Sequence, residues 1–280
     1  MNSRGDLIHT FILEPPLQTH RPRVVLLIAA CAAFLCLFPL RHASAEWYIA
    51  GYGGLSFGGK LYDVTMPERG LSLAQQQFPS VLNPVTGDTV TQNFKTSNLT
   101  LVNSAVYGAK VGYFFAREGY SWLGVELDAF TLKPDIKQQT LSTRQEFTFT
   151  PGTTTECVNL GTRCPQVGVN NGTLNVRETS LRVAALTANV IARYPGTLFQ
   201  PYVGVGGGLF SFTSSGQFEG QQFAPGLNVM GGLKVLATEQ WGLFIEGRYN
   251  FSYVSTFDPV FGLNGSYQAV HTVAGVSYQF

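Results

Sequence analysis

"WGLFIEGRYNF", Trp241 to Phe251, alternates with a period of two: Trp241, Leu243, Ile245, Tyr249 and Phe251 fall on one side of an extended chain, Glu246, Arg248 and Asn250 on the other. Successive side chains of a strand point to opposite faces, so this stretch reads as a strand with one apolar and one polar face. The same alternation recurs in "WYIAGYGGLSF" (47–57), "SAVYGAKVGYFF" (104–115), "WLGVELDAFTL" (122–132), "LRVAALTANVIARY" (181–194), "PYVGVGGGLF" (201–210), "GLNVMGGLKVL" (226–236) and "VHTVAGVSYQF" (270–280). No apolar stripe of helical period accompanies them. The pattern predicts eight strands.

The polar faces carry few charges, and these balance: Lys110, Lys234 and Arg248 against Glu126, Asp128 and Glu246. A solvated sheet face would scatter many charges, whereas a confined interior tolerates only those that find partners. The apolar faces, rich in Val, Leu and aromatics, are then expected to look outward, and each segment is long enough to cross a hydrocarbon layer. Backbone groups cannot stay unpaired in lipid, so spanning strands must close edge to edge. The links alternate as well. "AREGY", "PGTLFQ" and "ATEQ" are short, the segments 58–99 and 134–180 are long and polar, and the remaining two are of moderate length. The expected fold is an all-β, eight-stranded antiparallel up-and-down transmembrane β-barrel over residues 46–280, with the long segments as extracellular loops. A soluble lipocalin-like barrel or sandwich would invert the faces, burying Trp241, Ile245 and Tyr249 and turning Glu246 and Arg248 to solvent.

Composition agrees with a lipid setting. Of 280 residues 12% are charged, while 31 are Gly, 12 Tyr and 21 Phe. At the amino terminus Arg21 and Arg23 precede the apolar run "VVLLIAACAAFLCLFPL" (24–40), and Ala43-Ser44-Ala45 follows it. That is the order of a secretory signal with its small-residue cleavage site, so residues 1–45 are expected to be removed. Their loss takes Arg4, Arg21, Arg23, Arg41, Asp6 and Glu14 from totals of 18 basic and 17 acidic residues, leaving 14 and 15. A nearly neutral chain argues against nucleic acid as a partner. Cys157 and Cys164 remain, and in an exported chain they are expected to form a local disulfide. His271 is the one histidine left, which all but excludes zinc sites built from several His and Cys; no metal or cofactor is expected.

"WYIAGYGG", "PYVGVGGG", "WGLFIEGRYNF" and the closing "VSYQF" resemble the eight-stranded outer-membrane β-barrel family of bacteria, similar to the barrel of outer-membrane protein A. The resemblance covers the strands and not the long loops. It implies a bacterial outer-membrane location among lipids and lipopolysaccharide. It also implies a terminal insertion signal, Tyr278 and Phe280, read by the barrel-assembly machinery, and Tyr278 and Phe280 would lie in the aromatic girdle at one interface.

Motifs for chemistry are sparse. "GYGGLS" and "GVGGGL" miss the spacing G-x-G-x-x-G and open no helix, so nucleotide binding is not expected. Glu126 and Asp128 share a face, but eight strands enclose just enough space for side chains. The six charges are therefore expected to fill and pin the lumen. His271 stands next to Thr272, which points to the opposite face, and about 20 Å from Ser277, so no nucleophile and base are paired. It is expected at the lumen or its rim. "VGYFF" (111–115) and "IKQQ" (136–139) resemble stretches of a lipid A oxidase family, which keeps lipid A modification as the enzyme alternative; a small-solute pore is the other alternative. The Thr-, Asn- and Gln-rich segment 134–180 suits a solvated surface that could contact an extracellular ligand. The expected role is structural or surface-interactive and non-enzymatic, in a monomer.

Overall fold

The computed structural model describes residues 47–116, 119–153, 157 and 164–280; the expected signal segment lies outside them. In chain order the elements are β1 (Trp47–Thr65), α1 (Pro67–Gln77), two short 3-10 turns at Pro79–Leu82 and Pro84–Thr86, β2 (Thr89–Thr96), β3 (Leu99–Thr100), β4 (Ser104–Phe115) and β5 (Tyr120–Leu132). Then follow β6 (Gln139–Thr150), β7 (Gln166–Val176), β8 (Ser180–Arg193), β9 (Phe199–Ser215), β10 (Gly220–Leu236), β11 (Trp241–Val254) and β12 (Asn264–Gln279).

Eight strands form the ring, in the order β12-β11-β10-β9-β8-β5-β4-β1, and β12 closes on β1. The closing seam runs antiparallel from Tyr48 opposite Gln279 to Ser56 opposite His271 and continues past a register shift after Phe57. Closure leaves no edge in the ring, which backbone in hydrocarbon requires.

Side chains are sorted as the alternation demands. Ile245 is 55% exposed while its neighbour Glu246 is 1% exposed. Ile49, Leu127, Val205, Leu227, Ile245 and Val270 belong to an apolar belt around the outside. Aromatic pairs border the belt where the short turns lie: Trp47 with Tyr113 at 5.1 Å, and Trp241 with Tyr278 at 4.9 Å. Tyr107, Phe223 and Tyr253 are exposed toward the other end. An apolar wall between two aromatic girdles, around a polar interior, is what a lipid bilayer selects in a barrel. The faces are those of a transmembrane barrel, and the inverted soluble arrangement is ruled out.

The long segments are not plain loops. β1 runs on beyond the ring, pairs with β3, and touches β2 at Thr65 opposite Lys95. β2, β6 and β7 make a three-stranded antiparallel extension, and α1 packs on it through Gly70 and Ala74. The helix departs from the expectation of no helical period. With the sequence "PERGLSLAQQQ" it has Pro at its start but almost no apolar stripe, so its helicity rests on packing against the sheet. The link between β9 and β10, expected to be of moderate length, is only residues 216–219; both strands continue into a tall hairpin that turns at Gly216, φ +115°.

Candidate functional site

The lumen has two storeys. Toward the short turns it is polar. β5 sends Glu126 and Asp128 inward, β4 sends Lys110, and β11 sends Glu246 and Arg248, all buried. Cross-strand register sets Lys110 opposite Asp128 and Gly112 opposite Glu126, and the β4–β5 side faces β11 across the barrel.

Every carboxylate is engaged by a cation and by a tyrosine hydroxyl. Lys110 Nζ lies 2.7 Å from Glu246 Oε2 and 3.3 Å from Glu126 Oε2. Arg248 Nη1 lies 2.6 Å from Asp128 Oδ2, and its Nε pairs with Glu246 Oε1. Tyr48 donates to Glu126 Oε2 at 2.5 Å, Tyr52 to Asp128 Oδ1 at 2.7 Å and Tyr202 to Glu246 Oε2 at 2.6 Å. Asn189 donates to Glu126 Oε1 at 3.4 Å and accepts from Asn228 at 3.1 Å. Short charge-assisted bonds in a dry interior are strong individually, but their desolvation cost is of the same order, so the network's main effect is to fix which strands meet and at what height.

Inward glycines make the tyrosines possible. At Gly108 and Gly112 an added Cβ would overlap the Tyr52 and Tyr48 side chains. The tyrosine rings lie across β4 because these two positions have no side chain of their own.

Lys234 stands apart from the other five charges. It makes no ion pair among the described residues, and its ammonium sits 5.0 Å from the centre of the Tyr48 ring. Arg193, at the end of β8, is a further inward cation that pairs with no carboxylate among the described residues, its guanidinium 3.5 Å over the Phe114 ring. Arg193 lies at a strand end, outside the charges of the strand centres, and the three tyrosines carry no charge to mark them. Tyr48 and Tyr52 do alternate onto the same face as Ala50 and Ser56, which was the available signal.

His271 is in the lumen, 1% exposed, opposite Ser56 on β1 and Arg248 on β11. Its ring is 5.9 Å from that of Phe130, and neither ring nitrogen has a hydrogen-bond partner. It activates no hydroxyl in this geometry. Among the described residues no group of three or more His, Cys, Asp or Glu is arranged to hold a metal ion.

Beyond Asp128 and His271 the interior turns apolar, which the alternation alone did not disclose. Phe130, Phe210, Phe212, Tyr267, Leu181 and Val183 fill the loop-end half of the ring. Above them Phe218 packs on Phe261 at 5.2 Å. The β11–β12 loop is drawn over this layer by buried Asp258, whose carboxylate accepts from the backbone N–H of Val260, Phe261 and Leu263 at 3.1, 2.6 and 3.1 Å. Cys157 and Cys164 are joined by a disulfide in the link between β6 and β7.

No family model matches the chain, and no curated protein matches it. Among solved structures it is similar to neisserial surface protein A, with 13% identity over 84% of this chain and 97% of that one and a TM-score of 0.43. It is also similar to OprG of Pseudomonas aeruginosa, with 16% identity over 84% and 96% and a TM-score of 0.38. Ail, the attachment invasion locus protein of Yersinia pestis, gives 14% identity over 85% and 100% and a TM-score of 0.35. Likenesses this distant carry no weight for role.

Proposed function

We propose that this chain is an integral barrel of a bacterial outer membrane that presents its loop-end extension as an interaction surface, without catalysis and without a conducting pore. The observation that carries the reading is the filled lumen. An ionic layer and an aromatic layer lie in series along the axis, so the built surface left to meet the surroundings is the extension of β2, β6, β7 and α1. Its groove side offers Gln76, Gln77, Asn170, Asn171 and Thr173, groups that both donate and accept hydrogen bonds. The burial of His271, neither of whose ring nitrogens has a hydrogen-bond partner, weighs against lipid A modification. On this reading residues 1–45 are an export signal, the barrel-assembly machinery engages Tyr278 and Phe280, the wall contacts outer-membrane lipid and lipopolysaccharide, and the barrel is a monomer.

The deciding experiment compares lipid A from cells with and without the gene by mass spectrometry, alongside single-channel recording of the purified barrel in planar bilayers. Unchanged lipid A and no steady conductance are expected. A gene-dependent change in lipid A would replace the reading with an enzyme, and a stable open level would replace it with a pore.

A further inference from the structure

The ionic network leaves two cations out. Lys110 and Arg248 divide the three carboxylates Glu126, Asp128 and Glu246 between them. Lys234 leaves β10 two residues before the strand ends, and Arg193 is the last residue of β8, so both lie near the short-turn end of the lumen. Both line one half-enclosed cavity with Tyr48, Gln200, Tyr202 and Ser277.

Among the described residues neither cation makes an ion pair. Lys234 is buried, and its ammonium lies 5.0 Å from the centre of the Tyr48 ring. Arg193 donates Nε to the Ser121 carbonyl at 2.9 Å and otherwise rests on the Phe114 face. Glu126 borders the same cavity, but its Oε2 already accepts from Tyr48 at 2.5 Å and lies 3.3 Å from Lys110. Gln200 is buried too: its amide nitrogen donates to the Gly196 carbonyl at 2.9 Å and its Oε1 has no partner. An aromatic face repays only part of the cost of desolvating a cation. An arginine cannot relieve that cost by losing its proton. Glu126 shares its cation Lys110 with Glu246, yet the four cations Lys110, Arg193, Lys234 and Arg248 outnumber the three carboxylates Glu126, Asp128 and Glu246 by one, so an anion held between Lys234 and Arg193 completes the balance.

We propose that the turn-end cavity between Lys234 and Arg193 binds a small oxyanion of the size and charge of inorganic phosphate, entering from the short-turn side. Arg193 offers a planar fork of donors to two oxygens and Lys234 a point charge to a third. The site is separated from the extension by the apolar layer, so it is independent of any ligand taken there.

The test is titration of the full-length folded barrel, in a non-ionic maltoside detergent at constant ionic strength, with inorganic phosphate followed by calorimetry. Saturable binding near one phosphate per barrel is expected, weakened about tenfold or more in Lys234→Met and in Arg193→Met and lost in the double variant, while Lys60→Met at the other end binds as the parent does. Heat-modified migration on gels checks that each variant is folded. As a measurement that needs no variant, phosphate should raise the parent's thermal midpoint above that in chloride of equal ionic strength. Absence of saturable binding to the parent, undiminished binding by the double variant, or equal midpoints in the two salts would each overturn the proposal.

Discussion

Glu246 is the residue on which the network turns, because it meets Lys110, Arg248 and the Tyr202 hydroxyl at once. Removing one partner of a buried pair leaves uncompensated charge, at a cost of about 3–5 kcal/mol. Glu246→Ala is therefore expected to shift a urea unfolding titration by an amount in that range. Replacing Lys234, which has no carboxylate to strand, should leave stability equal or higher. Equal destabilisation by both substitutions would mean that the ion pairs are not what holds this layer. Gly112 makes a second residue-level claim. A Gly112→Val side chain would have to share space with the Tyr48 ring, displacing the hydroxyl that serves Glu126. Overpacking of this kind costs about 1–3 kcal/mol, and a companion Tyr48→Phe change should not restore the loss, since the ring as well as the hydroxyl is in the way.

At the scale of elements, the ring and the extension should behave as separable units. They share the continuing β1 strand, but the extension carries its own small apolar cluster of Phe78, Phe147 and Phe149, with Phe78 stacked on Phe149 at 4.5 Å. The disulfide closes a loop of only seven residues' separation, so it constrains the β6–β7 link and little else. Cys157→Ser with Cys164→Ser is expected to speed proteolysis within residues 139–176 while the barrel's heat-modified gel shift is unchanged. Loss of that shift would show the extension to be needed for barrel folding. The three hydrogen bonds that Asp258 accepts from its own loop make Asp258→Ala a test of the cover over the apolar storey. Faster amide exchange at Val260, Phe261 and Leu263 is expected, with the strands below unaffected.

For the whole molecule the governing fact is the reversal of sides: apolar side chains outward, ions inward. Leu127, near the middle of β5 and 53% exposed, faces the belt. Leu127→Arg is expected to destabilise the barrel in lipid vesicles by about 2–4 kcal/mol, with a far smaller effect for a substitution such as Val167→Arg in the extension. If both cost the same, the belt would not be in lipid.

Strict alternation in the eight segments sufficed for the ring, because a strand's side chains divide by parity and only one division leaves the six charges together. It equally placed Tyr48, Tyr52 and Arg193 on the inner face, although residue type alone did not mark them as members of a network. The helix and the extension are hidden for a physical reason: their apolar residues are few, and "TQNF" in β2 becomes a buried face only when α1 lies across it, "EFTFT" in β6 only when Phe78, just past α1, packs on it. The apolar storey was hidden differently, since Phe130, Phe210 and Phe212 share parity with the charges and differ from them only in height along the axis. Parity is local and can be read along one strand. Height depends on how each strand is staggered against its neighbours, and only the closed ring decides that.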